Sequence, residues 1–232
     1  MNIREVEQYL IDTENKEIPV GILRDLVIPP TTKIKALIGP RRAGKTFFLS
    51  QLIQKLRDSR QKVVFLNFEN TKLLGLQFKE IREAVSLYER LYSNYGSKKP
   101  TLFLDEPQNV DLWERIVREL FDEGYDIFIS GSSSKLLSKE IFTSLRGRSL
   151  SYLLLPFSFK EFLRAKQCIF GKHLSSEEKK QLLKYFDEYL EFGGFPEVVA
   201  ESNTEQKIKN LESYFELTVY KDIVERYKIR DS

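Results

Sequence analysis

One eight-residue stretch constrains this chain more than any other: Gly39-Pro40-Arg41-Arg42-Ala43-Gly44-Lys45-Thr46, a match to G-x-x-x-x-G-K-[ST]. It begins where the short apolar run Ile34 to Ile38 ends. It is followed by Phe47, Phe48, Leu49, Leu52, Ile53 and Leu56 at helical spacing. A strand therefore feeds a glycine-bounded loop, and the loop feeds a helix starting near Lys45. A loop that wraps a polyphosphate must turn its backbone N–H groups inward, so glycine is needed where a side chain would block approach or where φ is positive. The positive end of the helix then faces the phosphates, Lys45 adds a mobile charge, and the Thr46 hydroxyl supplies a ligand for Mg²⁺. Gly39 to Phe47 are the candidate cradle.

The chain has 232 residues, enough for one large or two small domains with a real core. Its 37 Lys+Arg are nearly balanced by 34 Asp+Glu, a net charge of +3, so no global basic field marks it for nucleic acid. Cys168 is the single cysteine and cannot form an internal disulfide; His173 is the single histidine, which removes His-based metal sites and triads. No apolar run approaches the roughly 20 residues of a membrane span, and Met1 to Glu5 do not read as a signal peptide. A soluble cytoplasmic protein is expected, with no membrane partner.

Before the motif, Val6, Leu10 and Ile11 predict a short amphipathic helix, and Pro19, Pro29 and Pro30 punctuate an extended lead-in. That lead-in either covers the base of a nucleotide or packs on a sheet edge. After the motif, Lys62 to Phe68 reads as a second strand and Phe78 to Tyr92 as a helix. Thr101-Leu102-Phe103-Leu104 is an apolar strand ending in Asp105-Glu106, at the place in the chain where a Walker B strand with one strand inserted before it would fall. Asp105 can hold Mg²⁺, largely through water, and Glu106 can polarise an attacking water; the bland alternative is that both acids cap the next loop. Asp111 and Glu114 stand at capping-box spacing.

Tyr125 to Ser130 is the next strand, running into Gly131 to Ser134. Ser130 or Ser132 is placed either as a sensor of the γ-phosphate or as an ordinary helix cap. A helix from about Lys135 to Leu145 leads to Arg146-Gly147-Arg148 and the strand Leu150 to Leu155. These arginines either complement a helix dipole or are fingers offered to a neighbour's nucleotide, which requires a homo-oligomer. From Pro156 the pattern turns helical: Ser158 with Glu161 and Ser175 with Glu178 form capping boxes, Gly193-Gly194 stops a helix, and Ile208 to Val219 continue in helical register. The expected division is a nucleotide-binding domain over 1–156 and a small all-helical lid over 157–232.

The two motifs, the polar strand tip and the helical tail together look like the AAA ATPase fold. More narrowly, Gly39 to Thr46, Ser130 to Ser134, Leu154 to Leu163, Gly193 to Val199 and Tyr220 to Arg226 resemble a prokaryotic AAA ATPase family. The resemblance implies a three-layer α/β P-loop NTPase with a five-stranded parallel sheet of order 5-1-4-3-2, followed by the helical lid. Position by position it implies Lys45 and Thr46 at phosphate and Mg²⁺, Asp105 at the metal, Glu106 as catalytic acid, and Gly194-Phe195-Pro196 as a turn against the nucleotide. For Pro196 a plain helix break is the alternative. Longer members of that family continue into a winged helix and a further C-terminal domain. The chain is accordingly expected to be a fragment or to lack the module that engages a partner, which puts a DNA role in doubt; whether a protein or DNA is the partner stays open. With no Asn/Thr-Lys-x-Asp segment to select guanine, ATP or ADP is the expected nucleotide. The expected activity is Mg²⁺-dependent ATP hydrolysis coupled to lid movement, with a nucleotide-gated switch of little turnover as the main rival.

Overall fold

The structure, a computed structural model, describes residues 3–16, 21–93, 98–132, 143–171 and 173–218. The chain divides into two compact units. The first comprises Met1–Val20, Val27–Ile38 and Lys45–Leu153; the second comprises Gly21–Leu26, Gly39–Gly44 and Leu154–Ser232.

The first unit opens with α1 (Ile3–Asn15) and continues through β1 (Ile34–Gly39), α2 (Lys45–Asp58), β2 (Val63–Asn67), α3 (Phe78–Leu91), β3 (Thr101–Asp105), α4 (Trp113–Asp122), β4 (Ile127–Ser132) and β5 (Ser149–Leu153). The strands form one parallel sheet of order β2-β3-β4-β1-β5, the expected order read from the other edge. Parallel strands covered on both faces need unbroken apolar runs rather than alternation. β3 fits that demand: it lies between β2 and β4 and is buried along its whole length. Register then does the positioning. Asn67 pairs with Asp105 and Asp105 with Ser130, so three polar residues share one row at the carboxyl edge of the sheet.

α1 carries Val6, Tyr9 and Leu10 into the core, where it packs on β2 and α3, and the Tyr9 hydroxyl accepts a hydrogen bond from the Asn67 amide at 2.9 Å. This first helix thus packs on an edge strand of the sheet. α4 departs from the expected capping box. Its N-cap is Leu112, held at φ 59° with no side-chain cap, and Asp111 lies outside it. Burial of Trp113, together with Ile116, Val117 and Leu120, fixes where the helix begins; packing overrides the local signal.

The second unit contains α5 (Phe159–Ala165), α6 (Ser176–Phe192), α7 (Pro196–Ala200) and α8 (Thr204–Thr218). Both expected capping boxes are present, with Ser158 on Glu161 and Ser175 on Glu178. Phe157, Phe162 and Val199 form its small core, with Ile22, Tyr185 and Tyr189 packed against it. Gly193 closes α6 at φ 72°, and Gly194 lets the chain pass so close to Phe157 that an added Cβ would overlap its carbonyl oxygen. The expected helix over 135–145, Ser133, Ser134 and the segment Tyr220 to Arg226 lie outside the described residues, apart from the last turn at Thr143 to Leu145. Among the described residues no helix is long and apolar enough to cross a membrane.

Candidate functional site

In the first unit the site is built on the carboxyl edge of the sheet. The Thr46 hydroxyl, in the first turn of α2, donates to Asp105 Oδ2 at 2.8 Å, and the Ser130 hydroxyl donates to Asp105 Oδ1. Asp105 is 1% exposed. Burial pushes its carboxyl above the ordinary range; the Ser130 and Thr46 hydroxyls offset this in part, Glu69 adds to it, and Lys45 opposes it. Glu106 is raised for the same leading reason, with the Lys45 ammonium pulling the other way and the charge of Asp105 adding to burial. Gln108 Nε2 donates to Glu106 Oε2, while Gln108 Oε1 is buried with no hydrogen-bond partner among the described residues. Glu106 itself sits at φ 54°, a left-handed conformation costly for a residue with a Cβ and found where structure over-determines it.

Lys45 is buried beside these acids. The charges of Lys45 and Glu69 act on both carboxyls, Lys45 lowering and Glu69 raising them. Among the described residues no group of three or more His, Cys, Asp or Glu is arranged to hold a metal by itself. Oxygen donors from one carboxylate and one hydroxyl fit Mg²⁺, which keeps its water and completes its shell with substrate phosphate.

In the second unit the loop residues Gly39 to Gly44 are gripped by side chains far away in sequence. Arg24, its side chain 6% exposed, donates from Nη1 to the Ala43 carbonyl at 2.9 Å, from Nη2 to the Leu155 carbonyl at 2.5 Å and from Nε to Glu161 Oε1 at 3.0 Å. Arg42, at φ 63°, pairs with Glu197 Oε2 at 2.7 Å and lies 5.0 Å from the centre of the Tyr214 ring. Gly44 sits at φ 89°, where a Cβ would meet Arg24 Nη1 and Pro196 Cγ, each at 3.6 Å. Pro196 therefore adjoins the loop as well as opening α7. Pro40 and Arg41 are half-buried and Ala43 is fully buried.

The structure brings Lys45, Thr46, Asp105, Glu106 and Ser130 together. Ser130 spends its hydroxyl on Asp105 rather than on a helix end; the side chain of Ser132 lies outside the described residues. Phe47 is 44% exposed and faces a cavity of about 320 Å³ with Tyr9, Ser50 and Asn67. Arg148 stands apart. Its carbonyl accepts from Ile34 at the amino edge of the sheet, and its guanidinium pairs with Asp122 at 3.1 Å, beside Arg115, Arg118 and Arg146. Sequence reasoning missed Arg24, Glu197, Tyr214 and Gln108. Glu161 reads in the sequence as a helix cap, and its use by Arg24, 137 residues away, leaves no local trace.

Strand order and loop together define a P-loop α/β protein of the AAA type. A family model described as an AAA domain matches residues 31–163, more than half of the chain. The chain belongs to the AAA domain family. A domain of unknown function (DUF8612) matches residues 183–232. An uncharacterized protein of Methanocaldococcus jannaschii is 44% identical over 86% of this chain and 44% of its own length. An uncharacterized protein of Haemophilus influenzae is 31% identical over 87% of this chain and 49% of its own. The chain thus spans less than half the length of these curated relatives. Among solved structures, an extended-conformation complex of S. cerevisiae Hsp104 with casein aligns over 97% of this chain and 39% of that one, at 12% identity and a TM-score of 0.43.

Proposed function

We propose that this chain binds ATP with Mg²⁺ on Gly39 to Thr46 and hydrolyses it. The observation that carries the reading is the 2.8 Å bond from Thr46 to the buried Asp105, which holds two hard oxygen donors side by side next to Lys45 and Glu106. Mg²⁺, when bound, would neutralise charge on the β- and γ-phosphates. Lys45 and the loop amides stabilise the same developing charge, Ser130 keeps Asp105 in place, and Asp105 and Thr46 are the residues that would hold the metal. Glu106 draws the proton from a water as its oxygen bonds to the γ-phosphorus; the breaking bond leaves its electron pair on ADP. Adenine is the expected base because no guanine-selecting segment is present. Arg148, remote from its own chain's Asp105, is suited to a second copy's nucleotide, a role that would make the active form an oligomer.

The test is steady-state hydrolysis by the whole chain. Glu106→Gln is expected to retain nucleotide and lose turnover by about 100-fold or more. Lys45→Ala is expected to lose nucleotide affinity itself. Turnover undiminished in Glu106→Gln would sink the assignment.

A second reading, a nucleotide-gated switch in which hydrolysis is slow, is favoured by one observation. Arg42, inside the loop, is held by Glu197 and Tyr214 of the helical unit, so a phosphate competing for its guanidinium would release that unit's α7 and α8. Identical solution-scattering profiles with ADP and a non-hydrolysable ATP analogue would count against it.

A further inference from the structure

Gly44, a glycine in the loop, permits either orientation of its peptide and decides neither. At φ 89° it occupies a region that L side chains rarely adopt, and without a Cβ it resists neither orientation of the 43–44 peptide plane. Something outside the residue has to choose. The peptide is trans, as are all those described, so its carbonyl and its N–H point in opposite directions from one rigid plane. Whatever holds the Ala43 carbonyl therefore aims the Gly44 amide.

We propose that Arg24 is a positioning residue of the phosphate loop: by holding the Ala43 carbonyl it turns the Gly44 N–H to the opposite face, where it donates to a bound phosphate. This rests on the reading of Gly39 to Thr46 as a phosphate site. The guanidinium is itself held by further contacts. Nε is fixed on Glu161 Oε1 at 3.0 Å, Nη2 on the Leu155 carbonyl at 2.5 Å, and the group lies 4.9 Å from the centre of the Phe157 ring. Glu161 is anchored in turn by the amides of Asp25 at 2.7 Å and Ser158 at 2.9 Å. Three donors of one planar fork thus meet three acceptors on separate segments, the loop carbonyl among them. Lysine cannot reproduce this, because a single ammonium has no fork of fixed geometry.

The experiment measures ADP and pyrophosphate affinity by calorimetry for the wild-type chain, Lys45→Ala, Arg24→Lys, and the double variant Arg24→Met with Glu161→Gln. The double variant removes both members of the buried pair, so no unpaired charge is left to unfold the protein. Loss of one charge-assisted, well-oriented donor predicts affinities weaker by about 10- to 100-fold in both Arg24 variants. The Gly44 amide should also shift in the nitrogen–proton NMR spectrum of the nucleotide-free double variant. A folded double variant that binds ADP within twofold of wild type, with Lys45→Ala defective, would overturn the role of Arg24 alone. A wild-type chain that binds neither probe, or one in which Lys45→Ala binds normally, would overturn the phosphate reading and this inference with it.

Discussion

The Thr46 hydroxyl donates to Asp105 Oδ2 at 2.8 Å, joining the first turn of α2 to the end of β3 across residues 59 apart in sequence. Ser130 occupies the other carboxylate oxygen. Two neutral hydroxyls satisfy the geometry of Asp105 without supplying the positive charge that a buried carboxylate lacks, and the Lys45 ammonium only offsets its burial in part.

Asp105→Asn is therefore expected to stabilise the nucleotide-free protein while abolishing Mg²⁺-dependent nucleotide binding. The folded carboxyl is raised above its ordinary 3.8, so its favourable contribution is complete below 3.8 and is lost as pH rises through the folded value. Removing the ionisable carboxyl should therefore raise the melting temperature of the nucleotide-free protein at pH 7. Thermal scans at pH 7 with and without MgATP would check both halves, and a lower midpoint for the variant would contradict the first.

Glu161 has the opposite sign. Burial pushes its carboxyl up, but the hydrogen bonds from Arg24 and from the amides of Asp25 and Ser158 outweigh it and hold the group below its ordinary 4.5. A depressed folded value contributes stability that is present above 4.5 and lost as pH falls through it. Acid titration followed by tyrosine fluorescence should show this loss below pH 4.5. Glu161→Gln should flatten that limb and, by leaving Arg24 buried without its counter-charge, cost about 3–5 kcal/mol at pH 7.

Gly39 ends β1 against the Leu154 backbone, where an added Cβ would overlap the carbonyl oxygen. Gly39→Ala should destabilise by about 1–3 kcal/mol, the usual cost of forcing an extra carbon into a packed site. Urea unfolding measures it directly; an unchanged midpoint would show that the strand end yields freely.

Gln108 gives its amide to Glu106 while its own oxygen stays buried with no partner among the described residues, a contact that costs hydrogen bonding to keep. Gln108→Met preserves length and volume but not the donor. Turnover should fall by about 10- to 100-fold with ADP affinity within twofold of wild type, because only the aim of the Glu106 carboxylate is lost. Turnover and affinity falling together would instead mark Gln108 as a packing residue.

The loop Gly39 to Thr46 and the acidic strand end were legible in the sequence because each of their demands is local. Glycines at two fixed places, a lysine and a hydroxyl at the start of a helix, and an apolar run ending in acids can all be read within a few neighbours. The parallel sheet and its order came from the family resemblance rather than from any single run, and the helical tail from its two capping boxes and helical spacing. The start of α4 was not legible, since burial of Trp113 outweighed the capping signal at Asp111.

What the sequence by itself determined is a glycine-bounded loop between a strand and a helix, with Lys45 and Thr46 at the helix start and Asp105 and Glu106 at the end of a second apolar run, because each of these is written in a short contiguous segment. Only the tertiary structure decided which residues hold those groups in place. Register alone puts Ser130 on Asp105, and only the folded chain carries Arg24 to Ala43 and Glu197 to Arg42. Such partners are specified by long-range packing, where a buried guanidinium can be satisfied by any carbonyl or carboxylate the fold delivers, so no spacing in the sequence foretells them.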